Sequence, residues 1–229
     1  MIMFILKKKI LSFFKDKEKF SNDLKINSLM SYFQADEYGH EANLENSDLG
    51  YGWIHYGLVR QQKPKRILCV GSRHGYIPAI LAQGCKDNGF GKVDFVDAGY
   101  DESEIGGWTG VGYWKTRSGE NCFDNFGLGS YISLFVTENY KFINKYQDNV
   151  YDYIYIDGDH SLKGVILDFK LFWPKLAKNG FMLFHDICVK EVKPEGVYGV
   201  WKFWEIVKMK FSSIEISFIG SGLGILQKK

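Results

Sequence analysis

The sequence has no charge excess, no closely paired cysteines and no long apolar run, and each absence narrows what the chain can do. Its 29 Lys and Arg stand against 27 Asp and Glu, a net charge of +2 at pH 7. That balance is too mild for a nucleic-acid binder, which concentrates positive charge to meet phosphate. Cys69, Cys85, Cys122 and Cys188 contain no CxxC pair. They read as free thiols packing as small hydrophobes, as expected in a reducing cytoplasm. The opening apolar run, Ile2 to Leu6, falls far short of the ~20 residues a membrane span needs, and no basic segment precedes it as in a signal peptide.

What is present is apolar and aromatic. The 229 residues are 45% hydrophobic and 17% aromatic, which excludes a disordered or fibrous chain and is enough for one undivided α/β core. Residues 1–48 read as an N-terminal arm and helical cap, and residues 49–229 as the main domain. In the arm, Lys7, Lys8, Lys9, Lys15, Lys17 and Lys19 accompany Ile10, Leu11, Phe13 and Phe14. This pattern suits an arm packed on its own domain or on a partner subunit, with a basic amphipathic helix touching anionic lipid as the alternative. Tyr38, His40 and Glu41 fall in a polar loop and are expected to be solvated, although they would also serve to line an acceptor site.

Tyr151 to Ile187 organises the rest. Tyr151, Tyr153, Ile154, Tyr155 and Ile156 form an aromatic and β-branched run suited to a strand covered on both faces, and Asp157-Gly158-Asp159-His160 ends it. Ser161 is placed as the N-cap of a helix whose inner face is Val165, Phe169, Phe172, Trp173 and Leu176. Pro174 is expected in a last turn and Asn179-Gly180 at the helix end. Phe181 to Phe184 makes the next strand. A right-handed β-α-β crossover brings both strand ends to one edge, so Asp157, Asp159 and His160 should face His185 and Asp186 across a crevice.

A second segment has the same logic. The strand Arg66 to Val70 runs into Gly71-Ser72-Arg73-His74-Gly75 and a helix through Ile77, Ile80 and Leu81 to Gly84, and glycine there lets a ligand approach the backbone at a helix N-terminus. The spacing is GxxxG rather than GxGxxG, a poorer match to a dinucleotide pyrophosphate. The strand Lys92 to Val96 then ends in Asp97, where a carboxylate can accept both hydroxyls of a ribose. Together these features point to a nucleoside-bearing cofactor.

VGSRHGYI, VDFVDAGY, YDYIYIDGDHS, NGFMLFHDI and the closing SGLGILQKK, in this order, resemble the class I S-adenosylmethionine-dependent methyltransferases, within them the bacterial branch marked by IDGDHS and FHD. The resemblance covers roughly Leu49 to Lys229. It implies an α/β, Rossmann-like three-layer sandwich around a mostly parallel seven-stranded sheet with a reversed last strand. It also implies S-adenosyl-L-methionine as cofactor. Gly71, Ser72 and Gly75 would face its methionine part and Asp97 its ribose. Thr137 and Glu138, after a strand from Tyr131 to Val136, would flank adenine, and Asp157 would border the same site. Related metal-dependent O-methyltransferases carry an acid after the fourth strand and an Asp-Asn pair after the fifth. Asp157 and Asp186 match, but Ile187 stands where the Asn would be. A divalent cation, Mg²⁺ or Mn²⁺, held by Asp157, His185 and Asp186 therefore departs from the family pattern. Mg²⁺ wants oxygen ligands, and His185 would suit Mn²⁺, Fe²⁺ or Zn²⁺ better.

Asp101 to Gly129 breaks the alternation of strands and helices. Gly106, Gly107, Gly110, Gly112 and Gly119 interleave with Trp108, Tyr113, Trp114, Lys115 and Arg117, a pattern read as a lid over the acceptor. Methyl transfer to an alcohol needs a base or a metal. His160 is the base candidate, with Asp157 and Asp159 holding its tautomer; a structural histidine capping the next helix is the alternative. The resemblance implies O-methylation of a small, sugar-like hydroxyl acceptor. A metal-dependent oxidase or hydrolase using Asp157, Asp159, His160, His185 and Asp186 stays open, as do a non-catalytic member of the fold and homo-oligomerisation.

Overall fold

The computed structural model describes residues 24–37, 39–100, 112–117, 122–193, 196–217 and 220–229. The basic arm, Tyr38 and the lid glycines Gly106, Gly107, Gly110 and Gly119 lie outside them. Two helices lead in, α1 (Leu24–Tyr32) and α2 (Tyr51–Gln62). There follow β1 (Arg66–Gly71), α3 (Tyr76–Asn88), β2 (Lys92–Asp97), the single turn α4 (Tyr113–Thr116), β3 (Ile132–Val136) and α5 (Asn139–Lys145). The chain continues through β4 (Tyr151–Asp157), α6 (Leu162–Phe172), β5 (Leu176–His185), α7 (Val200–Val207), β6 (Ser212–Ile216) and β7 (Leu223–Gln227). Val192–Lys193 and Gly196–Val197 form a small separate hairpin.

One seven-stranded sheet runs in the order β3-β2-β1-β4-β5-β7-β6. β1 to β5 are parallel, and β7 runs antiparallel to both of its neighbours. Successive side chains of a strand point to opposite faces, so covering both faces makes most positions apolar. Ile67, Cys69, Phe95, Tyr153, Tyr155 and Leu183 accordingly pack against Leu29, Met30, Phe33, Val59, Ile77 and Leu81 of the α1–α3 layer. Leu68, Val70, Ile154, Ile156, Met182 and Phe184 pack against Phe142, Val165, Phe172, Phe203 and Trp204 of the α5–α7 layer. This is the three-layer sandwich expected from the sequence. Strand order reverses between β1 and β4, which makes the carboxyl ends of these two strands the crevice of the sheet. Gly71 and Asp157, their last residues, pair directly across it.

Three local expectations need correction. Asn179 does adopt the left-handed conformation, with φ 64, but it does not end a helix. α6 stops at Phe172, a 3₁₀ turn over Trp173–Lys175 absorbs Pro174, and β5 already begins at Leu176. Leu176 pairs with Tyr151, and a register shift follows before Phe181 pairs with Tyr153, so the Asn-Gly pair marks an irregularity inside the strand. α3 continues past Gly84 to Asn88, where Gly89 with φ 76 ends it. Gly84 serves packing instead, since a Cβ there would lie 2.6 Å from a Val59 methyl. Trp114, assigned to the lid, is 1% exposed and packs edge-on against Phe95 and parallel to Phe123. It belongs to the core.

Asp168, in the middle of α6, faces inward against Gly158 at the end of β4. One carboxylate oxygen accepts from Asn139 Nδ2 at 2.6 Å, and the other has no hydrogen-bond partner among the described residues. Burial pushes its pKa up to about 7, against the Asn139 hydrogen bond and helped by the charge of Asp159. Between pH 4 and 7 the unfolded chain has released this proton while the folded chain retains it, so stability should fall as pH rises through that window. Asp168→Asn is expected to raise Tm at pH 8 by several degrees, corresponding to roughly 2 kcal/mol or more. The gain should be smaller at pH 5, as scanning calorimetry at the two pH values would show.

Candidate active site

The glycine loop after β1 is built from unusual backbone. Gly71, Ser72, Arg73 and Gly75 all have positive φ, at 73, 119, 30 and 94 degrees. Gly71 has no alternative, because a Cβ there would lie 2.1 Å from the carbonyl oxygen of Asp157. At Gly75 a Cβ would lie 2.7 Å from the Trp114 ring, so the buried tryptophan presses on the loop from behind. Ser72 is a non-glycine residue in a strained conformation that the surroundings must enforce. Its hydroxyl is buried without a hydrogen-bond partner among the described residues, as is common where a ligand completes a site. α3 starts directly after Gly75 with no side-chain cap, leaving its first N–H groups available.

Beside the loop, Asp97 ends β2. Its Oδ1 accepts from the Gly99 N–H at 2.7 Å. Burial pushes its pKa up to about 6, the Gly99 bond pulling it down and the charge of Asp157 adding to the rise. Thr137 donates its N–H to the Asp97 carbonyl at 2.8 Å, placing the end of β3 alongside. Glu138 occupies the N-cap position of α5 and accepts from the Tyr100 hydroxyl at 2.9 Å.

Across the crevice four ionisable side chains close into a ring. Asp157 Oδ1 lies 3.2 Å from His160 Nε2 and 3.1 Å from His185 Nδ1. Asp186 Oδ2 lies 3.1 Å from His160 Nδ1, and its Oδ1 lies 3.3 Å from His185 Nδ1. Sequence reasoning brought these residues to one edge. The mutual bridging, each imidazole set between two carboxylates, comes from the fold: β4 and β5 end side by side, and Asp186 turns into the left-handed region at φ 61. His160, at 19% side-chain exposure, is the member most open to solvent.

Charges in this ring stabilise one another. Burial alone would make Asp157 a weak acid, but the positive charge on His185 and the His160 hydrogen bond hold it well below the usual carboxylate range. Burial likewise favours a neutral His185, yet the charges of Asp186 and Asp157 push it up to about 10. His160 is raised above the ordinary imidazole value, Asp186 and Asp157 outweighing burial. Such an arrangement can accept a proton from a bound hydroxyl or hold a cation.

Two expectations about individual residues change. Asp159 is spent on local structure: its Oδ1 accepts from the Ser161 N–H at 2.8 Å, while Ser161 Oγ caps α6 through the Gly164 N–H at 3.0 Å. The partner that holds His160 from its other side is Asp186. His40 does not sit on a solvated loop. It is 6% exposed, its ring centroid is 4.9 Å from that of His185, and burial together with the His185 charge lowers its basicity to about 3. The polar residues around it hid this, since no periodicity marks a loop residue that plugs into a site. Ser221 was also missed. Its Oγ lies 3.0 Å from His185 Nε2 and donates to the Gly39 carbonyl at 2.6 Å, and that carbonyl is itself 3.1 Å from His185 Nε2. Ile187 is 4% exposed within the α5–α7 core, so nothing in the Asn position of the metal-dependent relatives faces the ring.

The profile of the methyltransferase domain family matches residues 68–187, just over half of the chain and the stretch that holds both the glycine loop and the ring. An uncharacterized protein, y4gI, from Sinorhizobium fredii is 25% identical over 180 residues, 76% of this chain; the chain spans only 19% of that protein's length. Among solved structures, the O-methyltransferase from Bacillus cereus in complex with SAH superposes with a TM-score of 0.65 at 14% identity, covering 96% of this chain and 97% of the other. The O-methyltransferase TomG from Streptomyces achromogenes, involved in tomaymycin synthesis and solved with SAM, gives 0.59 at 14% identity over 96% of each chain. At such identities the superpositions speak for the fold. With a family match that takes in β1 through β5 and the residues gathered at their carboxyl ends, the chain belongs to the methyltransferase domain family.

Proposed function

We propose that the protein is an S-adenosylmethionine-dependent O-methyltransferase acting on a small, polyhydroxylated, sugar-like acceptor. The observation that carries this reading is the pairing of Gly71 with Asp157, which sets a glycine loop for the cofactor against a carboxylate-imidazole ring for the acceptor. When bound, S-adenosylmethionine supplies a sulfonium methyl group open to in-line displacement by the acceptor oxygen.

The chain's own residues divide the remaining work. Gly71, Ser72 and Gly75 offer close backbone approach and the N–H groups of α3 to the methionine end. Asp97, poised near neutrality, would accept the ribose hydroxyls, and Thr137 and Glu138 would border the adenine. Asp157 stands between the two half-sites. The acceptor hydroxyl would meet His160, whose ring also lies 5.3 Å from that of Tyr198. An aromatic face beside carboxylates suits the apolar faces and hydroxyl edges of a sugar. The acceptor oxygen would take the methyl group as the sulfur–methyl bond breaks, and the hydroxyl proton would pass to the imidazole of His160 once the acceptor takes the place of one of the two carboxylates that flank that ring. Asp159 supports this indirectly by fixing the turn that carries His160. No helix among the described residues is long and apolar enough to cross a membrane.

Because Asp157 and Asp186 raise the basicity of His160, the free imidazole is scarce at low pH. Turnover should rise with pH on a limb lying above the ordinary imidazole value of ~6.5. His160→Ala should lower turnover by about 10²–10⁴-fold and flatten that limb while leaving cofactor affinity nearly intact; an unaltered pH profile would make His160 a structural residue. Asp97→Ala should weaken S-adenosylmethionine binding by about 1–3 kcal/mol through lost charged hydrogen bonds. Calorimetry with S-adenosylmethionine and S-adenosylhomocysteine tests the reading itself, and absence of binding to the wild type would overturn it.

A further inference from the structure

His40 has no place in the cofactor or proton-transfer roles described above, and its position needs a cause. It comes from the segment ahead of α2, far from the strand ends in sequence, yet one of its ring nitrogens, one of His185 and a carboxylate oxygen of Asp157 lie within 4.8 Å of one another. It is 6% exposed, and its Nδ1 is buried with no hydrogen-bond partner among the described residues. Burying an imidazole nitrogen without a partner costs on the order of 1–3 kcal/mol.

We propose that His40, Asp157 and His185 bind a transition-metal ion of the Mn²⁺, Fe²⁺ or Zn²⁺ class, with His40 as a ligand donated by the N-terminal segment. Two imidazoles and one carboxylate are a borderline donor set that these ions accept and Mg²⁺ does not favour. Spacing agrees with the chemistry. Four ligands at the ~2.0–2.1 Å bonds of such an ion sit roughly 3.3 Å apart, and His185 Nδ1 is already 3.1 Å from Asp157 Oδ1. A metal-bound histidine ordinarily gives its other ring N–H to a backbone carbonyl, which fixes the tautomer. At His185 that arrangement exists: Nε2 faces the Gly39 carbonyl at 3.1 Å and Ser221 Oγ at 3.0 Å, leaving Nδ1 toward the carboxylates. With Ile187 packed in the core, His40 takes over the third contact from a different part of the chain. Whether the ion binds does not depend on the methyl-transfer reading; only its effect on an acceptor hydroxyl does.

The test uses the full chain after dialysis against a chelator, with Zn²⁺, Mn²⁺ or Mg²⁺ as chloride salts and no cofactor, read by calorimetry and by elemental analysis of the dialysed complex. One equivalent of Zn²⁺ or Mn²⁺ should bind at micromolar concentration or tighter, and Mg²⁺ much more weakly. His40→Gln should weaken binding by about tenfold or more, with circular dichroism confirming the fold. The visible spectrum of wild type loaded with Co²⁺ gives a second readout that needs no variant, and intense d–d bands would report nitrogen ligands in a low-coordinate site. Binding by neither Zn²⁺ nor Mn²⁺, Mg²⁺ binding as tightly as they do, full retention of affinity in a folded His40→Gln, or the pale spectrum of an all-oxygen site would each overturn the proposal. Calorimetry with S-adenosylmethionine in chelator reads cofactor binding separately, so the two readings can fail independently.

Discussion

Asp157 ends the central strand with its carboxylate buried between two imidazoles, and much of the surrounding structure follows from keeping it charged there. An isolated carboxylate at that depth would take up a proton rather than remain ionised. His185 and His160 prevent this, and each is in turn held by Asp186. The four groups form a closed network in which no member can be removed without leaving a charge uncompensated in a place of low dielectric. The backbone behind Asp157 imposes its own condition on β1, because only glycine at position 71 leaves room for the Asp157 carbonyl.

The network also ties the chain together. His185 sits at the end of β5 and touches the Gly39 carbonyl from the N-terminal segment and the Ser221 hydroxyl from the turn before β7. Segments from opposite ends of the described chain therefore converge on one imidazole. Tyr51 adds a second link, its hydroxyl accepting the Gly222 N–H at 3.0 Å. A site braced from three directions is held in register by packing far from the chemistry, as a reaction that depends on positioning requires.

Much of the sheet could be read from the residues because strands covered on both faces are apolar at most positions, and turn residues interrupt them sharply. The runs ending at Gly71, Asp97 and Asp157 are of this kind apart from such residues as Arg66, Asp94 and Asp152, and Arg66 pairs with the buried Asp94. Failures occurred where a local signal was real but served another purpose. Asn179 is left-handed, as expected of the Asn-Gly pair, yet it lies at a register shift inside β5. Gly84 is a helix-interior glycine that makes space for Val59 rather than a stop. Trp114 lies among glycines and charged residues that read as a mobile cover, but its ring fills the space between Phe95 and Gly75. Asp159 was credited with steering His160 because the two are adjacent in sequence, whereas an Asx turn claims it.

By itself the sequence determined the alternation of strands and helices, the edge at which polar groups gather, and the identity of most of them: Gly71, Asp97, Asp157, His160, His185 and Asp186. These are properties of periodicity and of short spacing, which local sterics and burial convert directly into structure. Only the tertiary structure decided that His40 is buried against His185, that Ser221 and Gly39 fix the outer nitrogen of that ring, and that Asp186 rather than Asp159 completes the hold on His160. Such contacts join residues separated by up to 182 positions. They are set by how the two layers and the last hairpin pack on the sheet, a global balance of burial to which a loop histidine in a polar segment contributes no local signal.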